Sequence, residues 1–73
     1  MCTFSFLYAD GATVKCEHIV SAAYVHDKKR VTISEDELAS CIFPTDRTIG
    51  LYSEGRCFAI SCSDVRCIEV ASE

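Results

Sequence analysis

The side chains able to do chemistry here are six cysteines, two histidines and two short charged runs. The cysteines stand at positions 2, 16, 41, 57, 62 and 67, and no Cys-x-x-Cys pair occurs among them. Structural zinc sites place two ligands two to four residues apart on a tight knuckle. Cys57, Cys62 and Cys67 come nearest to that, in steps of five. On an extended strand an odd step puts neighbours on opposite faces, which is wrong for one shared metal. Met1-Cys2-Thr3-Phe4 has neither a basic start nor a long apolar run, so no leader is expected. A cytoplasmic location follows as the expectation, and there cysteines are read as free thiols. No metal and no cofactor are expected.

His18 and His26 bracket one segment. On a straight strand an eight-residue separation puts them on one face but roughly 26 Å apart, too far to share a metal. They are read as strand-end or turn residues. A Cys–His nucleophile pair would meet in space and not in sequence. Nothing marks a nucleophile: of three glycines, at 11, 50 and 55, two are taken by turns, which leaves no Gly-rich loop for an oxyanion or a phosphate. A chain of 73 residues also offers little room for a deep concave site. No catalytic residue is assigned, and the chain is not expected to be an enzyme.

Lys28-Lys29-Arg30 is the one basic cluster, set in a chain of net charge −4 with eleven acidic and seven basic residues. Binding nucleic acid through its phosphates needs a positive face, which these totals do not supply. The cluster is read first as a solvated hairpin tip that discourages edge-to-edge association. Nucleic-acid contact through Lys28, Lys29 and Arg30 is the alternative, with Arg47, Arg56 and Arg66 joining if they converge. Glu35-Asp36-Glu37 is read as a helix start, because adjacent acids on one turn point in different directions.

The elements that must position these residues are mostly strands. The apolar fraction of 49% suits a folded domain. Phe4, Phe6 and Tyr8 alternate with Thr3, Ser5 and Leu7, which predicts a strand over 3–9. Asp10-Gly11 predicts a tight hairpin whose turn positions tolerate positive φ. On the return strand 12–17, Val14 and Cys16 are expected to face inward. The segment 18–26 is apolar on both faces, and Ala22-Ala23 leaves a helix over 17–25 as the competing reading. Read as a strand, it either curves so that both faces meet protein, or a partner covers one. Val20, Ala22 and Tyr24 are then the expected protein interface, and burying them against a second copy would help a thin core.

Val31-Thr32-Ile33 reads as a short strand. Ser34 with Glu37 has the spacing of a capping box, which predicts a helix over 35–41 that buries Leu38, Cys41 and Ile42 and stops before Pro44. The C-terminal third then alternates three times: Ile49 and Leu51, Phe58 and Ile60, Ile68 and Val70, with turns at Glu54-Gly55 and Ser63-Asp64-Val65. The last three residues are expected to fray. No window approaches the roughly 18 apolar residues of a membrane span.

The turn at Asp10-Gly11, a long strand after it, the hairpin through Glu54-Gly55 and the one-turn corner at Ser63-Asp64-Val65 resemble the small barrels of the SH3-like and Sm-like type. The resemblance covers about two thirds of the chain by turn pattern, and it implies shape only. Sm-like families carry a glycine early in the long strand and a late Arg-Gly pair that contacts RNA. Here Ala and Ser occupy the strand, and Gly55-Arg56 lies in a turn. No RNA-binding residue carries over. The chain also resembles small bacterial open reading frames. The fold expected is mainly β, a single domain over 1–73: a small rolled sheet or SH3-like barrel of about five to six antiparallel strands, closed around Phe6, Val14, Leu51, Phe58 and Ile68, with one short helix near 35–41. The function expected is a protein-interaction module that self-associates as a homo-oligomer.

Overall fold

A computed structural model describes residues 1–73. Seven strands form: β1 Cys2–Tyr8, β2 Thr13–Ile19, β3 Ser21–His26, β4 Lys29–Ile33, β5 Thr48–Ser53, β6 Arg56–Ser61 and β7 Val65–Ser72. A 3-10 helix over Glu35–Ser40 joins β4 to β5. The count exceeds the expected five to six because every alternating segment, the short one around Val31 included, forms its own strand. The strands make two antiparallel sheets, β2-β1-β7 and β4-β3-β5-β6. They do not close into a barrel: β6 is bonded only to β5, and β7 only to β1. No helix is long and apolar enough to cross a membrane.

Turn chemistry explains the hairpins. Gly11 N–H donates to Tyr8 O at 2.9 Å, and Tyr8 N–H to Ala12 O at 2.8 Å. The first loop is therefore three residues, Ala9-Asp10-Gly11, with Gly11 alone left-handed at φ 91°. The Asp10 carboxylate accepts from Ala12 N–H at 2.9 Å and pins the turn. Between β3 and β4, Asp27 and Lys28 are both left-handed, at φ 51° and 65°, which gives a two-residue turn whose twist matches the flanking strands.

The segment 18–26 is a strand, and two irregularities bend it. His18 is left-handed at φ 61°, and there the β1–β2 register shifts between Phe4↔Cys16 and Cys2↔Ile19. Val20 N–H then donates to Tyr52 O at 2.8 Å, although Ser21 already stands opposite Tyr52. Bulges of this kind bend a strand and increase its twist. Both faces then meet protein: Ile19 and Ala22 are buried in the core, and Ala23 is buried on the opposite face.

The largest wholly buried side chains are Phe4, Phe6, Ile19, Leu38, Ile49, Leu51 and Cys62. Each large apolar side chain taken from water contributes about 1.5–3 kcal/mol. Phe43 joins them, edge-on to Phe4 at 5.2 Å between centroids and 70° between planes. Of the five residues expected at the centre, Phe6 and Leu51 are buried, Phe58 and Ile68 are half-buried, and Val14 is 38% exposed. Val14 stands opposite Phe6 and so shares its face, but β2 ends the sheet and Val14 lies outside the core cluster.

The helix is a 3-10 turn without the capping box. The Ser34 hydroxyl lies 2.7 Å from an Asp36 carboxylate oxygen and 2.9 Å from one of Glu37, so it serves as a donor to acids and not as an acceptor for the backbone. Leu38 is buried and Cys41 half-buried, one three-residue turn apart. Ile42 is 93% exposed: the chain leaves the helix extended at Cys41, which turns Ile42 outward and Phe43 inward. The last residues, expected to be loose, are paired with the start of β1. Strand β7 runs to Ser72, and Glu73 N–H donates to Met1 O at 2.9 Å.

Candidate functional site

Three regions of the surface bring polar or unpaired groups together. The first is a groove of about 400 Å³ on the outer face of the four-stranded sheet, floored by Ala23 and Gly50 and walled by Val25, Arg30, Arg47 and Tyr52. Arg30 leans back across the sheet. Its guanidinium carbon lies 5.7 Å from the Tyr52 ring centroid, and Nη2 donates to the Tyr52 hydroxyl at 2.9 Å. This bridge crosses the row that Ala23 shares with Gly50, which accounts for the burial of Ala23 on an outward face.

Arg47 is a strut. Its Nε and Nη2 donate to the two Asp46 carboxylate oxygens at 2.9 and 3.1 Å. Its Nη1 reaches Val25 O at 2.9 Å and His26 Nδ1 at 3.1 Å. Hydrogen bonding to Arg47 holds the Asp46 carboxyl below the usual range. The charge of Arg47 is thus already matched by Asp46. Lys28 and Lys29 stay exposed around the hairpin tip. Arg30 and Arg47 meet in the groove, Arg56 lines a different one, and Arg66 lines neither.

The second region is a groove of about 540 Å³ at the bend, bordered by Glu17, His18, Val20, Ser53, Arg56 and Phe58. His18 is tied to the chain end. Its backbone N–H donates to Glu73 Oε2 at 2.7 Å, and its Nδ1 lies 2.8 Å from Glu73 Oε1. The Thr3 hydroxyl donates to Oε2 at 3.0 Å. Ser53 and His18 border the same groove, but no hydrogen bond links them. His18 and His26 are held by separate partners, and no cluster of three His, Cys, Asp or Glu side chains is close enough to hold a metal ion. All six cysteines are free thiols.

The three residues expected at an interface do not share one surface: Tyr24 lines the first groove, Val20 the second, and Ala22 neither. Ala22 is wholly buried, opposite Leu51 on one side and Ile33 on the other. Val20 and Tyr24 are half-buried, and Tyr24 packs on the core. The bend covers Ala22 and Ala23 with the protein's own chain, while Val25 stays 59% exposed.

No family model matches this sequence. No curated protein and no solved structure matches it either.

The third region is an edge. Opposite residues in an antiparallel pair alternate between exchanging both backbone bonds and exchanging none. Ser53 and Arg56 close the two-residue turn before β6, so that pair is bonded, as are Leu51↔Phe58 and Ile49↔Ile60. Two neighbouring bonds carry the same phase: Cys62 N–H to Arg47 O at 3.3 Å, and Val20 N–H to Tyr52 O at 2.8 Å from the far side of β5. Cys57, Ala59 and Ser61 therefore direct their N–H and C=O groups away from the sheet. Four strands have such a free side: β2, β4, β6 and β7. Lys15 and Glu17 lie on β2, Lys29 and Arg30 on β4, Arg66 and Glu69 on β7. From Cys57 to Ser61, β6 has no charge and no proline. No signature residue marks this site. The only trace in the sequence is an absence of charge on one strand.

Proposed function

We propose that this chain is a non-enzymatic protein-interaction module that self-associates, and that β6 is its docking element. The observation that carries the reading is the contrast among the free edges. Charge and proline on an edge strand prevent strand addition, and an uncharged β-prone edge invites it. Only β6 combines unpaired backbone groups with Cys57-Phe58-Ala59-Ile60-Ser61. Phe58 and Ile60 are half-buried on the core face, so an added strand would cover what they still expose. The strand order β7-β1-β2/β3-β5-β6, with a tight corner into β7, supports an SH3-like reading of the roll. The pairing of Arg47 with Asp46 weighs against nucleic-acid binding, since it leaves the groove with one unmatched guanidinium.

Sedimentation equilibrium at roughly 10–100 µM tests the proposal, a range suited to a small interface. The wild-type chain is expected to associate reversibly. Ala59→Pro removes an outward N–H and leaves the bonds to β5 in place, so the fold survives and association is lost. Thr32→Pro, on the charged edge of β4, leaves association unchanged. Should Ala59→Pro misfold by circular dichroism, Ala59→Lys replaces it with the same expected loss. A wild-type chain that stays monomeric across this range overturns the reading.

A further inference from the structure

The geometry points to the arrangement of the self-associated form: an isologous dimer in which β6 pairs antiparallel with β6 of a second copy, about a two-fold axis at Ala59. This inference rests on the self-association reading above. Bonded pairs across a new ladder must join outward-directed residues to outward-directed residues. The outward set is Cys57, Ala59 and Ser61, symmetric about its middle member. Centring the axis on Ala59 pairs Ala59 with itself and Cys57 with Ser61 in both directions, and every outward N–H and C=O finds a partner. Moving either copy by two residues strands one outward residue on each.

Side chains favour the same register. It sets Phe58 beside Ile60 of the second copy on the core face, where each is half-buried in one chain alone. On the outer face, Cys57, Ala59 and Ser61 are small and raise no obstacle. At each end Arg56 comes opposite Cys62 of the second copy. Edge β7 makes a poorer partner. It carries Arg66 and Glu69, and a β6-to-β7 contact would leave one free edge at each end and propagate into a ring or a filament. Pairing β6 with itself closes the assembly at two.

The test is a thiol at the axis. Bonded antiparallel neighbours have Cα atoms about 5.5 Å apart, inside the roughly 4.4–6.8 Å span of a disulfide. In a background with Cys57→Ser and Cys67→Ser, the Ala59→Cys variant is expected to give a disulfide-linked dimer under mild oxidation, at a rate rising with concentration. Cys57 in the otherwise wild-type chain is expected not to cross-link to its symmetry mate, about 14 Å away along the pair. A dimer by sedimentation that cross-links through Cys57 as fast as through the Ala59→Cys thiol overturns the register and leaves self-association standing. A monomer at all concentrations removes both.

Discussion

Strands β5 and β6 lie side by side, share one alternating pattern and end differently. On β5, Ile49 and Leu51 face the core and are wholly buried; on β6, Phe58 and Ile60 face the same core and are half-buried. The distinction is position. β5 has bonded neighbours on both sides, β3 and β6, whereas β6 has one. Alternation tells which face a side chain takes, and the number of neighbouring strands tells how much of it leaves water. A small sheet protein thus holds apolar surface in reserve at whichever edge it leaves unguarded.

The contrast makes an unequal pair of truncations the sharpest probe. Leu51→Ala should cost about 2–5 kcal/mol in urea denaturation, since a wholly buried leucine leaves a cavity. Phe58→Ala removes a larger side chain yet should cost less, roughly 1.5–2.5 kcal/mol in dilute solution, because part of the ring stays in contact with water and the edge can relax around it. The gap should narrow as protein concentration rises, since dimerisation adds burial to Phe58 and none to Leu51. Equal costs in dilute solution would break the distinction between the two strands.

The faces were readable and the edges were not. Phe4, Phe6, Leu51 and the three alternating C-terminal segments declare their inward sides through local spacing alone. Which strands end a sheet depends on pairing between distant segments: β1 with β7, and β3 with β5. For that reason Val14 looked like core and sits at an open margin, and Ala22 looked like surface and is buried between Leu51 and Ile33. The bare run from Cys57 to Ser61 is plain in the sequence, but it means nothing until β6 is known to have a free side. Phe43 was hidden by its place beside Pro44, where the chain turns from helix to loop. The tie between His18 and Glu73 joins residues far apart in sequence and leaves no local trace.

That tie sharpens the contrast from the other sheet. The end of β2 and the tail of β7 flank β1, and the Glu73 carboxylate fastens them together, while nothing fastens β6. The backbone N–H of His18, then its ring and the Thr3 hydroxyl, hold the Glu73 carboxyl below the usual glutamate range against the opposing pull of desolvation. A carboxyl depressed in the folded state adds stability above its unfolded pKa and loses it as pH falls through the folded value. The thermal midpoint should therefore fall on acidification, and Glu73→Gln should flatten that part of the profile. The effect should be modest, because solvent reaches the site. Self-association should be untouched by Glu73→Gln at neutral pH. Loss of association in that variant would mean that the two edges are coupled.

The smallest effect expected lies in the thiols, and it reads the two kinds of surface in one experiment. Burial pushes the Cys16 and Cys62 thiols up. Burial and then the nearby Glu37 charge do the same for Cys41. The thiolate is the reactive form, so these three should alkylate slowly near neutral pH. Cys57 and Cys67 are exposed, on β6 and β7. In dilute protein the two should react at similar rates. As concentration rises into the associating range, Cys57 should slow relative to Cys67, because its backbone joins the new ladder opposite Ser61 while Cys67 stays paired only with β1. Ala59→Pro should hold the ratio constant at every concentration. A ratio that stays constant in the wild-type chain as well, measured where sedimentation shows a dimer, would place the contact on some surface other than β6.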